Sequence, residues 1–103
     1  MRAHLGLGAN LASRAGSPPA TLRAGLRALA AIAPVAVLRT SSIYRTEPRG
    51  VTDQPEFANA AAEVETGLGA EDLLAALLEV ERSFGRTRET KDGPRTLDLD
   101  LLL

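Results

Sequence analysis

The chain contains no cysteine and no tryptophan, and it carries only one histidine, one methionine, one tyrosine and two phenylalanines. Without cysteine there is no disulfide scaffold and no thiolate metal site. A lone histidine, His4, cannot assemble a catalytic triad or a zinc site, and it reads as structural or exposed. The scarcity of aromatic rings leaves a core of Leu, Val, Ile and much Ala. No apolar run approaches the roughly 20 residues that cross a bilayer. The opening "MRAHLGLGAN" has a basic residue but too short an apolar stretch for a signal peptide, so a cytoplasmic location is the expectation.

What is present fits one domain over residues 1–103, with 45% hydrophobic and 24% charged residues and one core that needs no staples. A net charge of −1 gives no attraction for nucleic acid. The charge is nonetheless uneven. Nine acidic residues and one base lie between Glu47 and Glu81, whereas "RSFGRTRETKDGPR" (82–95) has five bases and two acids. Such a segment suggests a local anion site, with a solvated loop as the plain alternative.

Residues 2–8 alternate Ala3, Leu5 and Leu7 with His4, Gly6 and Gly8, which predicts a strand made bare on one face by glycine. "SPPATLRAGLRALAAIAP" predicts a helix capped by Ser17, with Pro18 in its first turn and Pro34 as its stop. "VAVLRTSSIYRT" (35–46) reads as one strand, and 47–55, rich in Pro and Gly, as a loop. In 56–66, Phe57, Asn59, Ala61, Glu63 and Glu65 share one face, opposite Ala58, Ala60, Ala62 and Val64. Residues 70–85 predict a helix with Leu73, Leu77, Val80 and Phe84 in one stripe and Gly85 at its C-terminal end. The last strand is "TLDLDLLL". The resulting βαββαβ order predicts an α+β sandwich, a four-stranded sheet with two helices on one face and the other face open.

That open face gathers the polar chemistry. Asp98 and Asp100 point the same way, with Cα atoms about 6.5–7 Å apart, while Leu97, Leu99, Leu101 and Leu103 point into the core. Asn59, Phe57 and the two glycines join the aspartates. Neighbouring carboxylates need a cation between them, and Mg²⁺ is bound by one or two carboxylates plus substrate phosphates. Two metals about 3.5–4 Å apart can clamp a transferring phosphoryl group. Arginines before the strand would recognise phosphate. A D-x-D on a strand is weak alone, but "GRTR" and "GPR" just before it favour phosphate chemistry. "GLGANL" is rejected as a dinucleotide fingerprint, because Leu11 holds the third glycine position. Leu102 points to the same face as the aspartates, so the strand is apolar on both sides and calls for a cover.

Together "GLGANL", "SSIYRTEPRGVTDQPEFANAA", "LLEVERSFGRTR" and "GPRTLDLDLLL" resemble the 6-hydroxymethyl-7,8-dihydropterin pyrophosphokinase (2-amino-4-hydroxy-6-hydroxymethyldihydropteridine diphosphokinase) family. The resemblance implies a ferredoxin-like fold. It also implies transfer of pyrophosphate from ATP to the hydroxymethyl group of the reduced pterin, with release of AMP, in folate biosynthesis. By position it makes Asp98 and Asp100 the ligands of two Mg²⁺ ions that bridge the ATP phosphates. Arg86, Arg88 and Arg95 fall to ATP, with Arg86 and Arg95 counted among the catalytic residues, and Glu81 lies near the nucleotide. Asn59, Phe57 and Thr46 fall to the pterin. A second reading is a non-catalytic ferredoxin-like module, derived from the family, that keeps nucleotide or metal affinity. This chain has Asp92 where members commonly have Trp, and it stops where members continue for roughly another third of their length. The 103-residue chain is therefore expected to be a truncated member, slow in turnover alone and prone to self-association through its last strand.

Overall fold

The computed structural model describes residues 1–32, 34–47, 54–85 and 96–102. The chain runs β1 (Arg2–Ala9), α1 (Pro18–Ala30), β2 (Val35–Thr40), β3 (Tyr44–Thr46), β4 (Phe57–Thr66), α2 (Ala70–Ser83) and β5 (Asp98–Leu102). All pairings are antiparallel, in the order β2-β4-β1-β5, with β3 also on β4. The final strand thus lies at the edge beside the first, as the βαββαβ order requires. Two helices and an antiparallel sheet make this an α+β fold consistent with a ferredoxin-like sandwich.

Alternation sorts the strands into two faces. Ala3, Leu5 and Leu7 of β1, Ala58, Ala60, Ala62 and Val64 of β4, and Leu97 and Leu99 are buried. They pack against Leu22 and Leu29 of α1 and Leu73, Leu77 and Val80 of α2. Each buried leucine is worth about 1.5–3 kcal/mol over an exposed one. Alanines on β4 leave room for the helices to come close. Gly25 serves the same end, because a Cβ there would sit 3.2 Å from Leu97 Cδ2.

Two elements differ from the sequence expectation. Residues 35–46 form two strand segments, making five in the sheet. The ladder shifts register within β2, between Val37 and Arg39, and Ser41 lies in the gap between β2 and β3. Its N–H donates to Ala61 O at 2.8 Å, and its hydroxyl accepts the Ala61 N–H at 2.8 Å. A side-chain oxygen takes the place of a backbone acceptor, so the chain bends while both groups of Ala61 stay paired. The first helix also ends at Ala30, ahead of Pro34, and closes through Ala31 N–H to Arg27 O and Ile32 N–H to Leu29 O. Its start is as expected, with Ser17 accepting from Ala20 N and prolines in the first turn. Among the described residues no helix is long and apolar enough to cross a membrane.

Candidate functional site

The site is a set of rows across the open face of the sheet. Tyr44 on β3 stands opposite Asn59 on β4, Asn59 opposite Gly8 on β1, and Gly8 opposite Asp98 on β5. In the next row Ala61 faces Gly6, and Gly6 faces Asp100. The two glycines leave the middle strand without side chains, so the face sinks between an amide wall and an acidic wall. A Cβ at Gly8 would meet Asn59 Oδ1 at 3.4 Å, and one at Gly6 would meet Leu102 Cδ1 at 3.7 Å. The depression encloses about 370 Å³, lined among others by Gly6, Gly8, Phe57, Asn59, Asp98 and Asp100.

On the amide wall, Asn59 Nδ2 donates to Thr46 Oγ1 at 2.7 Å, and more weakly to Phe57 O at 3.4 Å. One end of the amide is thereby fixed, and its carbonyl oxygen is turned toward Gly8. Phe57 and Asn59 are half-buried and Thr46 is exposed. These three residues, chosen from the sequence, come together. So do Asp98, half-buried, and Asp100, exposed, on the opposite wall. Arg86, Arg88 and Arg95 lie outside the described residues.

Glu81 sits elsewhere. It is 1% exposed on the helix-covered side, where its Oε2 accepts the Leu99 N–H at 2.7 Å.

The donor set suits a hard cation. Two carboxylates share one face, and among the described residues no third His, Cys, Asp or Glu joins them. A metal held there would take its remaining oxygen ligands from water or phosphate, which is the habit of Mg²⁺.

Three features escaped the sequence reading. Asn10, in "GLGANL", is buried and donates to Gln54 Oε1 at 2.8 Å and Pro55 O at 3.0 Å, tying the end of β1 to the approach to β4. Glu63, also on the open face, is bound by Arg39 through Nε and Nη2 at 3.2 and 3.0 Å and lies 3.0 Å from His4 Nε2. Those hydrogen bonds, the one from Arg39 foremost, hold its carboxyl below the ordinary 4.5 against the opposing effect of desolvation. Arg14 donates to Ser83 O at 2.9 Å and stacks 4.4 Å from the Phe84 ring centroid, holding the end of α2.

Fold and site together define an α+β sandwich with a depression on one face of its sheet, between an amide and an acidic pair. A family model of 7,8-dihydro-6-hydroxymethylpterin-pyrophosphokinase (HPPK) matches residues 4–103, and the chain belongs to that family. It is 43% identical over 101 residues to a 2-amino-4-hydroxy-6-hydroxymethyldihydropteridine pyrophosphokinase of Bacillus subtilis, covering 98% of this chain and 58% of the relative. A protein of the same name from Methylorubrum extorquens is also 43% identical over 101 residues, with 98% and 61% covered. A mitochondrial folate synthesis bifunctional protein of Pisum sativum matches over 66 residues at 48% identity, covering 64% of this chain and 13% of the relative. The chain spans about three fifths of the length of the bacterial relatives it matches.

Proposed function

We propose that this chain acts in the transfer of pyrophosphate from ATP to the hydroxymethyl group of 6-hydroxymethyl-7,8-dihydropterin, releasing AMP, in cytoplasmic folate biosynthesis. The observation that carries the reading is the placement of Asn59 and the Asp98–Asp100 pair on opposite walls of one glycine-floored depression. A pterin edge presents donors and acceptors side by side, and an amide offers one of each. With Nδ2 committed to Thr46, the Asn59 carbonyl is the group left facing the floor, suited to a ring N–H. Phe57 supplies an apolar surface for the flat heterocycle.

Such an orientation sends a substituent on the far side of the ring toward the aspartates. Asp98 and Asp100 would hold Mg²⁺, two ions by the resemblance, and bound Mg²⁺ neutralises the charge that develops on the phosphates. The resemblance assigns the guanidinium groups of Arg86, Arg88 and Arg95 to the same phosphates. Catalysis then rests on positioning and electrostatics, as is general for phosphoryl transfer.

The test is AMP release by the purified chain with ATP, Mg²⁺ and the reduced pterin, beside Asp98→Asn and Asp100→Asn. Mg²⁺-dependent turnover that either substitution removes supports the reading. A well-folded chain that binds neither ATP nor pterin overturns it.

A further inference from the structure

Glu81 is in the wrong place for a solvated acid. It follows Leu77 by four residues and Leu73 by eight, which sets it in the apolar stripe of α2, and it is 1% exposed. A buried carboxyl group is costly unless hydrogen-bonded, and an acidic residue in a helix's last turn also opposes the helix dipole. Leucine would fill the stripe more cheaply. One bond that Glu81 makes works against these costs: its Oε2 accepts the Leu99 N–H at 2.7 Å, across 18 residues of sequence.

Leu99 lies between Asp98 and Asp100. Its N–H belongs to the planar peptide that joins Asp98 to Leu99, so holding that N–H fixes the plane from which Asp98 projects. Among the described residues β5 is the outer strand, with β1 as its sheet neighbour. On an edge strand alternate N–H groups face away from the sheet. Inside, the cross-strand partners of Asp98 and Asp100 are Gly8 and Gly6, which bring no side chains to pack against them. Glu81 adds a hold on the strand from its outer edge, and the base of that hold is firm because Arg14 holds Ser83 and Phe84 two and three residues further on.

We propose that Glu81 is a positioning residue, a buried acceptor that holds β5 from its outer edge and so sets the spacing of the Asp98 and Asp100 carboxylates. The proposal rests on the metal-and-phosphate reading of that pair. It differs from the nucleotide contact that the resemblance gives Glu81, because here the group acts through backbone and does not touch ligand.

The test compares Glu81→Gln, which keeps a carbonyl acceptor, with Glu81→Leu, which fills the stripe and removes it. Amide exchange and chemical shifts are read from the ¹⁵N-labelled 103-residue chain, and Mg-ATP affinity by calorimetry. In Glu81→Leu, Leu99 N–H exchange should rise ~10-fold or more relative to Leu5 and Leu7, Asp98 and Asp100 resonances should move, and Mg-ATP affinity should fall ~10-fold. Glu81→Gln should stay within ~3-fold of the parent in both measures. A folded Glu81→Leu with parental shifts and affinity overturns the proposal. So does a Glu81→Gln that loses affinity while Leu99 stays protected, since that result marks direct contact with ligand. If Glu81→Leu does not fold, Glu81→Gln decides alone by the same criteria. If the parent chain binds no Mg-ATP, the metal reading falls, and exchange at Leu99 with the aspartate shifts still decides this one.

Discussion

Gly8 stands between Asn59 and Asp98, paired with the first across β4 and with the second across β5. The gap it leaves is the floor of the depression. Replacement by valine would put branched carbons where a single Cβ already approaches Asn59 Oδ1 to 3.4 Å. Gly8→Val is expected to keep the fold, since β-branched residues suit strands, and to lower affinity for pterin by ~10-fold or more. Calorimetric titration of the reduced pterin, with circular dichroism as the folding control, checks it. Gly8→Ala, which adds only the tight Cβ, should fall between.

Asn59→Ala removes the group proposed to meet the pterin edge; on that proposal a polar group of the ligand is left without its partner, an expected loss of about 1–3 kcal/mol in binding. ATP affinity should stay near the parent value, because the phosphates are assigned to the acidic wall and the arginines. Equal losses for both ligands in a folded variant would contradict this division.

Glu63 predicts an acid limb in stability. Its carboxyl titrates below the ordinary 4.5 in the folded chain, through the Arg39 guanidinium first. The stabilisation is therefore complete above 4.5 and is lost as pH falls through the lower folded value. Urea unfolding between about pH 5.5 and about pH 3 should show stability falling more steeply in the parent than in Glu63→Gln. Parallel curves would mean that the Arg39 and His4 contacts do not persist in solution.

Leu102 is 49% exposed on the same face as the aspartates. It belongs to an edge strand, where unpaired backbone and apolar side chains favour association with a second chain. Leu102→Lys is expected to lower the sedimentation-average mass at high protein concentration and to leave secondary structure unchanged. Identical sedimentation of the two would remove β5 as the contact.

The faces of the strands were legible because alternation is a local property: "LDLDLL" and "ANAAAEV" each announce which side is wet. The break at Ser41 was not, since no Gly or Pro punctuates residues 35–46. The bend arises from a register shift against β4 and from a hydroxyl replacing a backbone acceptor. Glu63 and its partners Arg39 and His4 are 24 and 59 residues apart, so only the sheet register brings them together. Glu81 was singled out through the resemblance alone, and its burial against Leu99 was not legible because it depends on how α2 meets the sheet edge. The acidic pair and the amide were legible as chemistry, while their arrangement around a bare floor is a product of strand order.

In β1 and β5 each inward leucine is chained to an outward glycine or aspartate by a period of two. Losing one codon within either strand would exchange the two sets at a stroke, sending carboxylates among the helices and leucines into water. Point substitutions in these strands can be graded in effect, but a one-residue deletion is all-or-none. Over evolutionary time, insertions and deletions should therefore collect in the connecting segments and be absent from residues 3–8 and 97–101, a pattern that a library of single-codon deletions screened for soluble expression would reproduce.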